Sequence, residues 1–400
     1  MGLTATAKRG ANLKSKGRAA VGIDPSRTAL QVSLLFPRAG KPRNKTLPLG
    51  PAAVKRLEEL LRGVPATIAM EGSHSTGQLF LLEVLKQGHD VREVHPFVSK
   101  RFREALSEDH TDRKDAEGLA VLARWKADLP PVRFAEAQAT YKRISRLRQR
   151  LVRDHARYLN RVHAVLSETY GVTYKGLFKN LASKKALRFF QQYPTINDAL
   201  RGDPDAPLQV GPQAWERLRR AGSWWETTYL RCLRTEVRTL AAHVLALHDR
   251  IAEVGREMAK APRTRNLETL LSLPRLGVAT AMTIVGNSGD FSRFGGNVDR
   301  YVAYAGLAPA SHQSGAGEPS GRPRCRYNRY LKNAFMFMAF NRLQVDQRAR
   351  EYYQRKRQEG KEHWTALRAL ARYLCRWVFR ILTGKTPTQQ GGAAPTNPHP

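Results

Sequence analysis

Acidic residues are scarce in this 400-residue chain: 34 Asp and Glu stand against 68 Lys and Arg, giving a formal net charge of +34. That excess is far beyond what solubility needs and implies a polyanionic partner, with nucleic acid first because phosphate neutralisation dominates such binding. Cysteine is scarcer still. Cys232, Cys325 and Cys375 are isolated and odd in number, which excludes a disulfide framework and a thiolate metal cage and fits a reducing cytosol. No apolar run approaches transmembrane length, and the basic start "MGLTATAKRGANLKSKGRAA" lacks the apolar core of a signal peptide. Gly2 and Thr6 fit the myristoylation pattern, but so short a pattern recurs by chance, and a flexible basic arm over residues 1–17 is the expectation. The basic residues are spread along the chain rather than gathered in one amphipathic helix, which argues against a membrane surface. The chain is therefore expected in the cytoplasm, associated with the nucleoid.

At 42% apolar residues, the chain can build real cores. "AAVGIDPSRTALQVSLLFP" reads as strand, turn and strand, and "AAVKRLEELLRG" as a helix. "ATIAMEG" follows as a buried strand, "STGQLFLLEVLKQG" as a helix closed by Gly88, and "DVREVHP" as another strand. This alternation predicts an α/β domain over 18–130. Residues 131–190 hold 14 Lys or Arg against 3 acids, and "YKRISRLRQRLVRDHARYLNRVHAVL" is one helix with an apolar side and an arginine side. Arg143, Arg146, Arg150, Arg153 and Arg157 are its candidate nucleic-acid contacts. Leu230, Leu233, Val237, Leu240, Val244, Leu247, Ile251, Val254 and Met258 keep a strict 3-4 spacing. That seam predicts a coiled coil, within the chain or between protomers, or a helix packed on its arginine-rich predecessor. The helical and coiled-coil region is expected over 131–264, a mostly α C-terminal domain over 265–383, and a disordered tail over 384–400. "LPRLGVATA" resembles the turn of a helix-hairpin-helix, with Arg275 where a glycine usually stands; a plain helical packing unit is the other reading. Trp224 and Trp225 are expected to pack in the core or between helices.

The acids that remain are placed informatively. Asp24 ends the first strand in "VGID", two residues after Gly22, and Glu71 ends the buried strand in "IAME", just before Gly72. In "TDRKDAEGLAVLARW", Asp112 and Asp115 are three apart at the mouth of a helix, on the side that Leu119 and Leu122 continue. First-turn acids can simply favour a helix N-terminus. Four carboxylates at strand ends and a helix start also suit a divalent cation, because uncompensated acids repel one another.

The set "GID", "AMEG" and "TDRKDA" resembles the Asp-Glu-Asp-Asp signature of the DEDD transposases of bacterial insertion sequences. "LPRLGVATAMTIVGNSGDFSRFGGNVDRYVAYAGLAPASHQSG" with "RYNRYLKNAFMFMAF" is similar to that family's C-terminal, serine-bearing domain, so the resemblance runs from about residue 20 to about 345. It implies a ribonuclease-H-like (RuvC-like) N-terminal domain and a metal site of Asp24, Glu71, Asp112 and Asp115 holding Mg²⁺ or Mn²⁺. The nucleophile it implies is Ser314, with Ser311 as the rival placement, forming a covalent phosphoserine link to DNA. It further implies donor and target DNA and a structured bridge RNA as guide; the α-helical seam, with several DNA ends to hold, adds the expectation of a dimer or tetramer. Arg322, Arg324, Arg326 and Arg329 would contact phosphate or guide RNA. Tyr327 replaces a glycine usual in the family, which puts the loop conformation in question, and His312 is a weaker base candidate than the metal-bound acids. The competing reading is a Holliday-junction-resolvase-like nuclease with water as nucleophile. An actin-like ATPase, which shares "GID", would need later glycine-rich phosphate loops that the sequence lacks.

Overall fold

The computed structural model describes residues 17–71, 77–94, 96–106, 111–126, 129, 131–132, 136–202, 210–308 and 327–384. The chain forms two units, divided between Glu136 and Ala137. Among the described residues no helix is long and apolar enough to cross a membrane.

Unit 1 is built on a five-stranded mixed sheet in the order β3-β2-β1-β4-β5. Its strands are β1 (Ala19–Pro25), β2 (Ala29–Leu35), β3 (Arg43–Pro48), β4 (Ala66–Glu71) and β5 (Asp90–Val94). The first three run as an antiparallel meander, β4 pairs parallel to β1, and β5 pairs parallel to β4. This mixed α/β arrangement is consistent with the expected ribonuclease-H-like domain. Strand β1 is buried on both faces and reads as an apolar run. Its odd residues Ala19, Val21 and Ile23 join a core closed by α1 (Ala52–Leu61) and α2 (Gln78–Lys86), through Leu57, Leu61, Leu81 and Val84. Its even residues face α4 (Asp112–Trp125), where Ala20 meets Ala120. Helix α3 (Pro96–Leu106) precedes α4.

Unit 2 is helical. Two helices of similar length dominate it: α5 (Glu136–Thr169, 34 residues) and α9 (Thr228–Lys260, 33 residues). Between them lie α6 (Lys184–Gln192), α7 (Ile196–Arg201) and α8 (Pro212–Ala221). After them come α10 (Arg265–Leu271), α11 (Val278–Ser288), α12 (Val298–Tyr304), α13 (Arg329–Val345), α14 (Gln347–Gln358) and α15 (His363–Leu382). One core gathers Val162, Val165 and Leu166 of α5 with Phe189 and Phe190 of α6 and Leu233, Val237, Leu240 and Val244 of α9. A second joins Tyr141 of α5 and Met258 of α9 to α10–α15.

The expected seam on α9 is therefore shared out. Its first half packs into the core with α6, its last residue joins the C-terminal core, and Leu247, Ile251 and Val254 between them are only half-buried. Helix α11 crosses α5 closely enough that a Cβ at Gly286 would lie 2.4 Å from the Lys142 amide nitrogen. The turn between α10 and α11 places Arg275 at φ 57°, the left-handed region that a glycine would occupy without strain.

Candidate catalytic edge and nucleic-acid faces

The strand register brings Asp24 and Glu71 side by side. Gly22 pairs with Ala69 and Ile23 with Met70 across the parallel β1–β4 pair, so Asp24 and Glu71 occupy the next step. Opposite residues of paired strands share a face and faces alternate, so both acids lie on the face of Gly22 and Ala69. That face is covered by α4: Ala69 packs with Leu119 and Leu122.

Gly22 fixes where α4 crosses. A Cβ there would meet Ala116 O at 2.0 Å, Ala120 N at 2.3 Å and Leu119 C at 2.9 Å, so helix backbone rests directly on strand backbone. Since Ala20 meets Ala120, the helix runs against the strand direction. Asp24 lies about 6.7 Å beyond Gly22, which is roughly four residues of helix rise toward the α4 N-terminus, where Asp112 and Asp115 are. Thr111 caps that end, its hydroxyl accepting from Lys114 N at 3.3 Å.

The two helix acids are not equivalent. Asp115 is half-buried, whereas Asp112 is exposed. The expectation that both point into the body burying Leu119 and Leu122 is corrected for Asp112. Among the described residues no three His, Cys, Asp or Glu stand close enough as they are to hold an ion. Four acids approach one sheet edge without converging. Four carboxylates are nonetheless the donor set a hard, oxygen-seeking cation takes.

In unit 2, Ser311, His312, Ser314, Arg322, Arg324 and Arg326 lie outside the described residues. The residues flanking that segment are tied down. Asn328 N donates to Tyr304 O at 2.7 Å, and Asn328 Nδ2 donates to Tyr304 Oη at 3.1 Å and Asn287 O at 3.3 Å. Its Oδ1 caps α13 by accepting from Tyr330 N and Leu331 N. The structure also accounts for Tyr327: its ring lies over Gly306, where a Cβ would come within 2.4 Å of it, and the Lys332 ammonium sits 4.9 Å from the ring centroid. The Asn287–Tyr304–Asn328 hub escapes sequence reasoning, although an asparagine just before an apolar helical run is a readable N-cap signal.

The arginines of α5 divide into two groups. Arg143, Arg150, Arg153 and Arg157 are exposed, on a helix about 50 Å long, and Arg161 extends the row. Arg146 turns inward: its Nε donates to Asn287 Oδ1 at 2.9 Å and its guanidinium lies 4.6 Å from the Tyr330 ring centroid. Burial lowers its pKa, with Tyr330 opposing, yet an arginine stays charged at neutral pH. Arg146 thus holds α5 to the Asn287 hub, and the outer four form the basic face. Arg329 is exposed at the start of α13. Trp224 and Trp225 are not core residues: both are exposed, Trp225 almost completely.

Comparison with known proteins joins these features. The model of the transposase IS116/IS110/IS902 family matches residues 267–354, and a DEDD transposase model matches residues 21–171. The insertion element IS900 42 kDa protein of Mycobacterium paratuberculosis is 33% identical over 284 residues, 66% of this chain and 69% of that protein. The insertion element IS116 44.8 kDa protein of Streptomyces clavuligerus is 28% identical over 79% of this chain and 82% of its own length. The insertion element IS110 43.6 kDa protein of Streptomyces coelicolor is 25% identical over 92% and 94%.

Proposed function

The chain belongs to the IS116/IS110/IS902 family of transposases, and from that premise we propose that this DNA transposase cuts and rejoins strands with an acid edge and a serine nucleophile. The observation that carries the proposal is the side-by-side placement of Asp24 and Glu71 beneath the α4 end bearing Asp112 and Asp115, dictated by the helix contact at Gly22. These four carboxylates would hold Mg²⁺ or Mn²⁺, which when bound supplies Lewis-acid polarisation of a phosphate oxygen.

Ser314 is the proposed nucleophile. Its oxygen forms a bond to phosphorus as the P–O3′ bond of the strand breaks, and the serine proton passes, in net terms, to the departing 3′ oxygen. The 3′-hydroxyl of a second strand reverses the exchange, so the ester energy is kept and no nucleotide cofactor is consumed. Arg143, Arg150, Arg153 and Arg157 bind the DNA backbone, with Arg322, Arg324, Arg326 and Arg329 acting on phosphate or on a structured guide RNA from the same element. Strand exchange holds several DNA ends together, which calls for a dimer or tetramer, and the half-covered middle of the α9 seam is the surface for it.

The test incubates purified protein with Mg²⁺, donor and target DNA and element-derived RNA, and resolves products on a denaturing gel. A covalent protein–DNA adduct is expected. It should vanish in Ser314→Ala, persist in Ser311→Ala, and vanish in Asp115→Ala with DNA binding intact. Recombination that survives Ser314→Ala would return the chain to the water-using, resolvase-like reading.

A further inference from the structure

Between α8 and α9 the chain runs as a segment outside helix carrying Trp224 and Trp225, and Tyr229 follows as the second residue of α9. Their exposures are 53%, 91% and 66%, which is unusual for three large aromatic residues within six positions. The segment is clamped. Buried Asn197 holds the Trp224 backbone from both sides, Nδ2 donating to Trp224 O at 2.8 Å and Oδ1 accepting from Trp224 N at 2.8 Å. Trp224 Nε1 donates to Thr169 O at 3.1 Å, and Tyr229 Oη to Glu168 Oε2 at 2.9 Å, both at the last turn of α5. The Trp224 indole is thereby fixed along one edge, and the Trp225 indole beside it is left standing in solvent on a rigid backbone.

The acids beside the segment are paired rather than free to repel an anion. Glu226, the acid adjoining Trp225, is gripped by Arg234 through both oxygens, at 2.9 Å and 3.2 Å, and Arg234 also binds Asp198. Arg201 and Arg231 act on the same carboxylate through space, and Arg234 bonding first of all holds it below the usual carboxylate range. Arg201, Arg231 and Arg234 are thus offset by Glu226, Asp198 and the Glu168 that Tyr229 binds, and the positive excess comes from the surrounding stretch, where residues 217–238 hold six arginines against two glutamates. A solvent-facing indole on a clamped backbone within an arginine-rich stretch is the combination that binds single-stranded nucleic acid, where bases stack on aromatic faces and the backbone follows positive charge.

We propose that Trp225, flanked by Trp224 and Tyr229, is a stacking platform for an unpaired base of single-stranded DNA. This rests on the reading of the chain as a DNA-cutting and -joining enzyme, whose reaction leaves bases outside the duplex. A second copy of the chain is a less apt occupant, because the arginine-rich stretch 217–238 of one copy would face the same stretch of another at a two-fold contact centred on Trp225.

The experiment measures the affinity of the full chain for a fluorescent single-stranded DNA oligonucleotide, the same sequence as RNA, and the same sequence as duplex DNA. Trp225→Ala should bind single-stranded DNA about 5- to 150-fold more weakly, the range that loss of one stacked base implies. Trp225→Phe should recover most of that loss, duplex affinity should not change, and indole quenching on binding should shrink in both variants. Exposure of the side chain makes misfolding of these variants unexpected, and far-UV circular dichroism checks it. Unchanged single-strand affinity in Trp225→Ala overturns the inference. So does a loss confined to RNA, or a smaller oligomer of the variant in sedimentation. Wild-type protein that binds neither duplex nor single strand would instead overturn the DNA-joining reading beneath it.

Discussion

Replacing Gly22 with alanine tests the contact that positions the acid edge. The added methyl would lie 2.0 Å, 2.3 Å and 2.9 Å from three backbone atoms of α4. Ordinary carbon contacts lie at about 3.5–4.0 Å, so the helix must withdraw by roughly 1.5 Å, since backbone atoms cannot rotate aside as a side-chain tip can. Overpacking of this kind destabilises by about 1–3 kcal/mol, and three simultaneous backbone clashes put Gly22→Ala at the upper end. For a domain of this size that is a melting-temperature drop of roughly 10–20 °C. The helix carries Asp112 and Asp115 with it, and misplacement of reacting groups by about 1 Å reduces rate about 10²-fold. Thermal melting by circular dichroism and strand cleavage on a DNA substrate read the two effects. Gly40→Ala is the control, because a Cβ there meets nothing within 4 Å. If Gly22→Ala melts within about 2 °C of wild type and cleaves normally, α4 does not rest on β1 at Gly22 and the derived placement of the four acids falls.

Three further outcomes are expected. Burial, and then the neighbouring His248 ring 4.5 Å away, hold the His155 imidazole below its ordinary pKa of 6.5. The unfolded chain then binds that proton more readily, so this stability is present above about pH 6.5 and lost as pH falls below it. Melting curves between pH 7.5 and 5.5 should flatten in His155→Leu. Gly306→Ala would drive a Cβ into the Tyr327 ring at a residue with φ +70° and should cost about 2 kcal/mol or more. Chemical denaturation of Gly306→Ala with Tyr327→Ala should recover the steric share and leave the backbone share. Replacing Arg143, Arg150 and Arg157 together by Gln should reduce the slope of log affinity for duplex DNA against log salt by about 2.7, if each contacts one phosphate. An unchanged slope removes these residues from the interface.

The framework of unit 1 is legible wherever apolar pattern and position agree. Strands β1, β2, β4 and β5 and helices α1 and α2 fall where alternation and helical spacing predict them, and Asp24 and Glu71 end the strands expected. Strand β3 is not legible, because "RNKTLP" is a polar edge strand with only Leu47 buried. The α9 periodicity announces an apolar stripe correctly but not its partner, since α6 and the C-terminal core divide it by long-range contacts that spacing does not encode. Trp224 and Trp225 show the converse: large aromatics imply burial on average, and only the Asn197 clamp reveals that these two are held outward. The acid pair of α4 is half legible. Helical geometry puts both residues on one side, but burial depends on long-range packing, and only Asp115 is sheltered.

The two cores of unit 2 are strung on the same two helices, with Tyr141 and Met258 in one and Val162 and Val237 in the other. Such a pair is a ruler with discrete marks. Adding one residue between the cores in either helix shifts the far end by about 1.5 Å and turns it by about 100°. Only insertions matched in both helices and close to whole turns keep every apolar face inward. Lengthening both by seven residues would carry the two cores about 10 Å further apart and lengthen the arginine row between them. On the proposed reading of the basic row, the span of nucleic acid along this unit is therefore set by counting residues, and evolution can alter it only in steps.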